Sequence, residues 1–130
     1  MTSRGRWVTI CALLCFCTAC AGNGDAVTTA TTRFLDAVDQ GDGEAACTML
    51  SPPAEESLTS DGTDCATALT ELDLPSGGGV RTTSVWSDRA QVHTADDVLF
   101  LVDLSNGWRI AAAGCEQQPD EIYKCVLEAS

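Results

Sequence analysis

The sequence predicts a single α+β domain in which helices precede an antiparallel sheet. Between residues 26 and 72 apolar side chains recur at helical spacing, whereas after residue 79 apolar and polar side chains alternate. The segment LPSGGG, residues 74–79, separates the two patterns and is typical of a linker. Four cysteines spread over both halves predict two disulfides that hold this domain together.

The N-terminal segment has the three zones of a secretory signal. Arg4 and Arg6 supply positive charge, residues 8–16 form an apolar run, and small residues follow. The apolar run is too short to span a bilayer, which needs about 20 residues. We therefore expect residues 1–19 to be a signal peptide that is removed on export.

Cys20 stands at the end of this segment. The stretch CTACAG resembles a bacterial lipobox, whose cysteine is lipidated and becomes the new N-terminus, although Cys17 stands where Leu is usual. This resemblance implies a protein anchored to the outer side of the cell membrane by acyl chains, with residues 20–25 as a lipidated tether. The alternative is an A-x-A cut after Ala21, which would discard Cys20 and release a soluble secreted protein.

Three helices are predicted before the linker. The first covers residues 26–40 and is ended by Gly41, and the second begins at Asp42 and is ended near residue 50 by Pro52 and Pro53. The third covers residues 64–72. The apolar face of the first helix consists of Val27, Ala30, Thr31, Phe34, Ala37 and Val38.

Four strands are predicted after the linker, at about residues 80–86, 89–94, 98–104 and 108–115, with a last extended piece at 122–127. Two-residue turns at Ser87-Asp88, Ala95-Asp96 and Asn106-Gly107 would connect the four strands. Tight turns fix which residues share a sheet face. One face is almost wholly apolar and should lie under the helices: Thr83, Val85, Ala90, Val92, Leu99, Leu101, Trp108, Ile110 and Ala112, with Asp103 as its one carboxylate.

The opposite sheet face is mixed and is the predicted partner surface. Its apolar group, which includes Trp86, Phe100 and Val102, is edged by basic and polar side chains. Patches of this kind often mark interfaces, and Trp and Arg are enriched at binding hot spots. An equally open alternative is that the C-terminal segment with Tyr123 and Val126 covers the face. The candidate residues are Trp86, Arg89, His93, Phe100, Val102 and Arg109.

Two disulfides are expected in the mature chain. Of the three possible pairings we favour Cys47–Cys65 and Cys115–Cys125, because each pair lies within one structural region. A zinc site is the alternative, but residues 20–130 contain no C-x-x-C motif and His93 is the single histidine. No metal and no cofactor is therefore predicted.

Charge excludes one class of partner. All 19 acidic residues lie after residue 20, against five basic ones, which leaves the mature part with a net charge of −14. Such a surface repels nucleic acid.

A family resemblance is carried by three segments, FLDAVDQGDGEAACTMLSP, WRIAAAGC and YKCVLEAS. They resemble small actinobacterial lipoproteins with a nuclear transport factor 2-like fold, over roughly residues 27–130. The resemblance implies helices packed on a curved antiparallel sheet of four to five strands, a nuclear transport factor 2-like or cystatin-like cone. It implies export more than any activity, because this fold carries both enzymes and binding modules.

The predicted function is that of an exported, membrane-tethered, non-catalytic module that binds a protein or a small apolar ligand, with a homodimer as one option. The alternative is a small pocket enzyme of the ketosteroid isomerase or polyketide cyclase type. Asp103 alone is a poor basis for acid–base catalysis, and His93 is expected on the mixed face, away from the pocket. Tyr123 is expected to pack over the last disulfide. A filled apolar cone would favour the module.

Overall fold

The computed structural model describes residues 21–76 and 78–129 of the chain. Four helices precede five strands: α1 (Ala21–Asp39), α2 (Gly43–Thr48), α3 (Pro52–Thr59), α4 (Cys65–Glu71), β1 (Val80–Trp86), β2 (Arg89–Thr94), β3 (Val98–Leu104), β4 (Gly107–Gln117) and β5 (Tyr123–Glu128). The strands form one open antiparallel sheet in the order β1-β2-β3-β4-β5. The predicted α+β class is confirmed. Within the described residues, no helix is both long and apolar enough to cross a membrane.

Helix α1 lies across the apolar sheet face, as its sequence pattern predicts. Val27, Thr31 and Phe34 are completely buried, and the hydroxyls of Thr28 and Thr83 lie 3.2 Å apart, which joins α1 to β1. The helix already covers residues 21–25, which were predicted to form a tether. They are helical although Asn23-Gly24 is a pair typical of turns.

Helix α3 is an element that the sequence reading missed. Pro52 and Pro53 were expected to end the second helix, yet they open a new one, since proline lacks only an N–H that the first turn of a helix leaves unpaired. Ser51 caps this helix by accepting a hydrogen bond from the Ala54 N–H. Asp42 and Asp64 cap α2 and α4 in the same way, as the predicted helix starts require.

Helices α2 and α4 pack closely because of Gly43. A Cβ atom at this position would stand 2.7 Å from the Ala66 carbonyl oxygen, so only glycine permits the approach. The disulfide Cys47–Cys65 joins the same two helices, and Cys115–Cys125 joins β4 and β5. Both favoured pairings are confirmed.

The first two hairpins have the predicted register. Trp86 pairs with Arg89 across the first turn, and His93 pairs with Val98 across the second. The third turn differs, because Leu104 pairs with Gly107 and the turn is Ser105-Asn106. Gly107 takes a φ of +105° just after it, as in loops where a glycine follows a type I turn. The slip moves the pairing by two residues and so leaves the face assignments of β3 and Arg109 unchanged.

One predicted face assignment is wrong. A register shift follows the Leu101–Ile110 pair, and Ala112 pairs with Phe100 on the opposite face. The buried Ala113, which pairs with Leu127, belongs to the core instead. Beside this bulge the Met49 carbonyl accepts from the Ile110 N–H, and the Ser51 N–H donates to the Ile110 carbonyl. The α2–α3 connection thus lies along the first half of β4, and β5 lies along the second half.

Candidate functional site

The mixed sheet face contains an unbroken row of side chains across four strands. Trp86 pairs with Arg89, Arg89 with Val102, and Val102 with Arg109. Paired residues of antiparallel strands project from the same face with their Cβ atoms about 5 Å apart. The structure therefore brings together four of the six predicted surface residues in one row, which we call the Trp86 row.

The Trp86 row is exposed to solvent at the Trp86 end and buried at its centre. The Trp86 side chain is 49% exposed, Arg89 is exposed, and Val102 is only 8% exposed. An aromatic and a charged side chain around an apolar centre form the composition that binding hot spots prefer.

A second row carries Phe100, the fifth predicted residue. Ser84, Gln91 and Phe100 occupy it in order across β1, β2 and β3. The ring of Tyr123 stands edge-on to Phe100 with centroids 5.2 Å apart, and its hydroxyl accepts a hydrogen bond of 3.1 Å from the Gln91 amide nitrogen. Tyr123 therefore packs on the sheet face rather than over the disulfide.

The C-terminal segment consequently closes only part of the mixed face. Tyr123 covers the Phe100 end, whereas Val126, the other residue expected to cover it, is itself 53% exposed. The Trp86 row stays open. His93, the sixth predicted residue, pairs with Thr82 and Val98 at the far end of the face and is half-buried.

The electrostatics of this face differ from those of the whole chain. Over β1–β3 and residues 107–111, no carboxylate stands among the residues of the mixed face, although the chain has 19 acidic residues. Arg89 lies 4.0 Å from Asp88, and this exposed contact is the one ion pair within residues 21–76 and 78–129. An exposed pair of this kind contributes little, so Arg89 keeps its capacity to bind another anion.

The interior under the helices is filled. Phe34 from α1, Leu99 and Leu101 from β3, Ile110 from β4 and Leu127 from β5 are the largest fully buried side chains there. Each buries apolar surface that contributes about 1.5–3 kcal/mol to folding. These side chains occupy the space in which the enzyme alternative would need a polar pocket.

Asp103 is the one carboxylate that the sequence places on the apolar sheet face. It is exposed at the end of β3, opposite Trp108, and its backbone N–H donates to the Asp88 carbonyl. The tryptophan packs into the core, whereas the shorter carboxylate reaches water beyond the edge of the helix layer.

The buried carboxylate of this protein is Asp97, which the sequence reading did not single out. Asp97 is 7% exposed, and its two oxygens accept backbone hydrogen bonds from Val98 at 2.7 Å and from Gly114 and Cys115 at 3.1 Å each. It thereby ties the β2–β3 turn to the middle of β4. The available signal was the sequence Thr94-Ala95-Asp96-Asp97, since an Asp directly after a turn often accepts nearby N–H groups.

Burial raises the pKa of the Asp97 carboxyl above its ordinary value of 3.8, and the hydrogen bonds from Gly114, Val98 and Cys115 oppose this shift. A buried carboxylate with a raised pKa beside a depression is a common mark of a catalytic site. Here both oxygens are already occupied by backbone donors, so the group serves as a brace of the fold.

Comparison with known proteins gives no relative: no family model, no curated protein and no solved structure matches this chain. Cys20, the predicted lipidation site, and the signal segment at residues 1–19 lie outside the described residues.

Proposed function

We propose that this protein is an exported, membrane-tethered binding module, and that its Trp86 row holds a partner protein that presents carboxylates there. The observation that carries the proposal is the row itself: Trp86, Arg89, Val102 and Arg109 lie side by side, and no carboxylate stands among the mixed-face residues of β1–β3 and 107–111. Arginine pairs well with carboxylates, and the exposed tryptophan offers a large apolar contact.

Export is supported by the cysteines. Two disulfides join elements of the domain, and such bonds persist in oxidising compartments outside the cytoplasm. The proposed anchor is Cys20, with signal cleavage before it; release as a soluble secreted protein is the alternative.

The proposed fold family is the nuclear transport factor 2-like group of small lipoproteins. The helix layer on one face of a five-stranded antiparallel sheet supports this assignment. The filled interior, with Phe34 and Leu99 completely buried, favours a binding module over a cyclase-type or isomerase-type enzyme.

The partner is inferred from charge. A second copy packed row against row would bring arginines, and no carboxylate of its own row, to Arg89 and Arg109. A different protein with carboxylates around an apolar side chain fits the row better.

Photo-cross-linking in the producing cells tests the proposal. A photoreactive residue at position 84, exposed beside Trp86 on the mixed face, should capture one partner, whereas the same residue at exposed position 56 on α3 should not. The additional substitution Arg89→Glu should abolish the capture, and Arg81→Glu in the same strand should leave it intact. Capture that is equal at both positions, or indifferent to Arg89→Glu, would refute the partner surface. Capture of a second copy would refute the heterologous partner.

A further inference from the structure

A second candidate site lies on the helix side of the β3–β4 hairpin. Residues of α1, the end of α2 and the hairpin enclose an open cleft of about 620 Å³. Arg33 reaches it from α1, Arg109 from β4, and Asn106 from the turn. We call it the Arg33 cleft.

The charge of the Arg33 cleft is opposite to that of the protein. Two of the five basic residues that follow residue 20 line it, and no acidic residue is among its described lining residues. Among the described residues, neither guanidinium forms an ion pair. One Arg109 nitrogen donates to the Trp108 carbonyl, which leaves its other N–H donors for a ligand.

Glu55 is the nearest competitor for Arg109. It borders a neighbouring depression that Arg109 and Asn106 also line, but within the described part of the chain it makes no ion pair with Arg109. Arg33 does not border that depression.

The remaining wall of the Arg33 cleft has an apolar part beside Thr29 and Thr48. Ala26 and Ala30 line it on α1, Met49 follows α2, and Trp108 contributes part of its surface. Anion-binding arginines beside an apolar wall suit a ligand with both characters.

We propose that the Arg33 cleft binds an anionic amphiphile, a molecule whose phosphate or carboxylate group contacts Arg33 and Arg109 while its apolar part lies against Met49 and the alanines. This activity goes beyond the proposed protein-binding role, and its site shares Arg109 with the Trp86 row. Two sources offer this chemistry, a membrane lipid headgroup and a soluble amphiphile. Helix α1 already includes Ala21, the residue that follows Cys20 in the sequence, and Ala26 lies only about 8 Å along the helix axis from Ala21.

Calorimetric titration of the mature protein, as the cell makes it and purified in a neutral detergent, tests the proposal. Hexyl phosphate should bind saturably and more tightly than inorganic phosphate, and hexyl glucoside, which lacks the charge, should not bind. Arg33→Ala should weaken hexyl phosphate binding by about tenfold, the usual effect of one lost charge-assisted contact. The exposed Arg81→Ala is the matched control and should leave the affinity unchanged.

Arg33→Gln removes the charge but keeps a polar side chain and, because Arg33 is exposed, should leave thermal unfolding unchanged. Unaltered hexyl phosphate affinity in this variant and in Arg109→Ala would overturn the proposal, as would absence of saturable binding. Equal affinities for hexyl phosphate and inorganic phosphate would show that the apolar part of the ligand contributes nothing, which would overturn the proposal of an amphiphile. Competition by phosphatidylglycerol in the micelles, but not by phosphatidylcholine, would support the site with a lipid headgroup as its ligand; no competition by either would support it with a soluble one. Arg89→Glu should not affect these titrations, so failure here is distinct from failure of the partner surface.

Discussion

The carboxylate of Asp97 accepts a hydrogen bond of 3.1 Å from the backbone N–H of Cys115, eighteen residues further along the chain. The same carboxylate accepts from Gly114, so one side chain satisfies two consecutive donors of β4. Gly114 has a φ of +65°, and the chain turns there out of regular strand geometry. Asp97 thus replaces the ladder hydrogen bonds that this irregular backbone would otherwise lack.

Replacing Asp97 by Asn should destabilise the domain. The carboxamide nitrogen cannot accept a hydrogen bond, so one of the buried N–H groups now bonded to Asp97 would lose its acceptor, at a cost of about 1–3 kcal/mol. Urea unfolding at neutral pH measures the loss. Asp96→Asn, at the exposed neighbouring position, is the control and should change the free energy of unfolding by less than about 0.5 kcal/mol. Equal effects of the two substitutions would refute the bracing role.

Stability should also depend on pH through Asp97. Its folded-state pKa is raised, so the folded protein holds the proton more tightly than the unfolded chain does. The contribution of this group to the free energy of unfolding is therefore fully present below pH 3.8 and falls as the pH rises through the raised pKa. The stability difference between wild type and Asp97→Asn should shrink over that range in parallel urea titrations. A difference that grows with pH would contradict the assignment.

Each disulfide should contribute measurably to stability. Cys47 and Cys65 are 18 residues apart and Cys115 and Cys125 are 10 apart, and loops of these lengths correspond to about 3 kcal/mol each in the chain-entropy model. Replacing both cysteines of either pair by Ser should lower the free energy of unfolding by about that amount. Peptide mapping without reduction should show these two cross-links in the native protein. A Cys65–Cys115 cross-link would contradict the structure.

The proposed lipid anchor at Cys20 can be tested separately. Lipidation of Cys20 predicts a mature N-terminus at that residue, with added acyl mass, and retention in the membrane after washing with high salt. Intact mass spectrometry of the exported protein distinguishes the two cleavages. A soluble product that starts at Gly22 would refute the anchor and support the A-x-A cut.

The sheet was predictable from sequence because tight hairpins fix the alternation of faces. The Trp86–Arg89 and His93–Val98 pairs followed from the turn positions. The third turn was misplaced, but this shifted the pairing by an even number of residues and so left the predicted faces of β3 and Arg109 unchanged. The bulge before Ala112 was not predicted, because it depends on main-chain hydrogen bonds between Ile110 and the distant Met49 and Ser51. No local sequence pattern specifies such a contact.

The residues of the mixed face could be predicted from sequence, but which of them are exposed could not. All six surface residues lie on the expected face, but sequence could not show that Tyr123 covers Phe100 and leaves Trp86 open. The burial of Asp97 could not be predicted for the same reason. Whether a strand-end carboxylate is buried depends on the neighbouring strand, and for Asp97 that neighbour is β4, seventeen residues away.

The Trp86 row is tested most directly by the affinity of the cross-linked partner for purified variants, measured beside their thermal unfolding. Trp86→Ser should weaken binding by more than about 30-fold, the effect of losing a hot spot. Arg89→Glu should weaken it further and make binding fall less with added salt, because the attraction that salt screens is lost. Both side chains are largely exposed, so the melting temperature should change little, and Arg81→Glu should alter neither quantity. Unchanged affinity in Trp86→Ser and Arg89→Glu, or a monomer whose stability collapses on Trp86→Ser, would contradict a partner surface on this face.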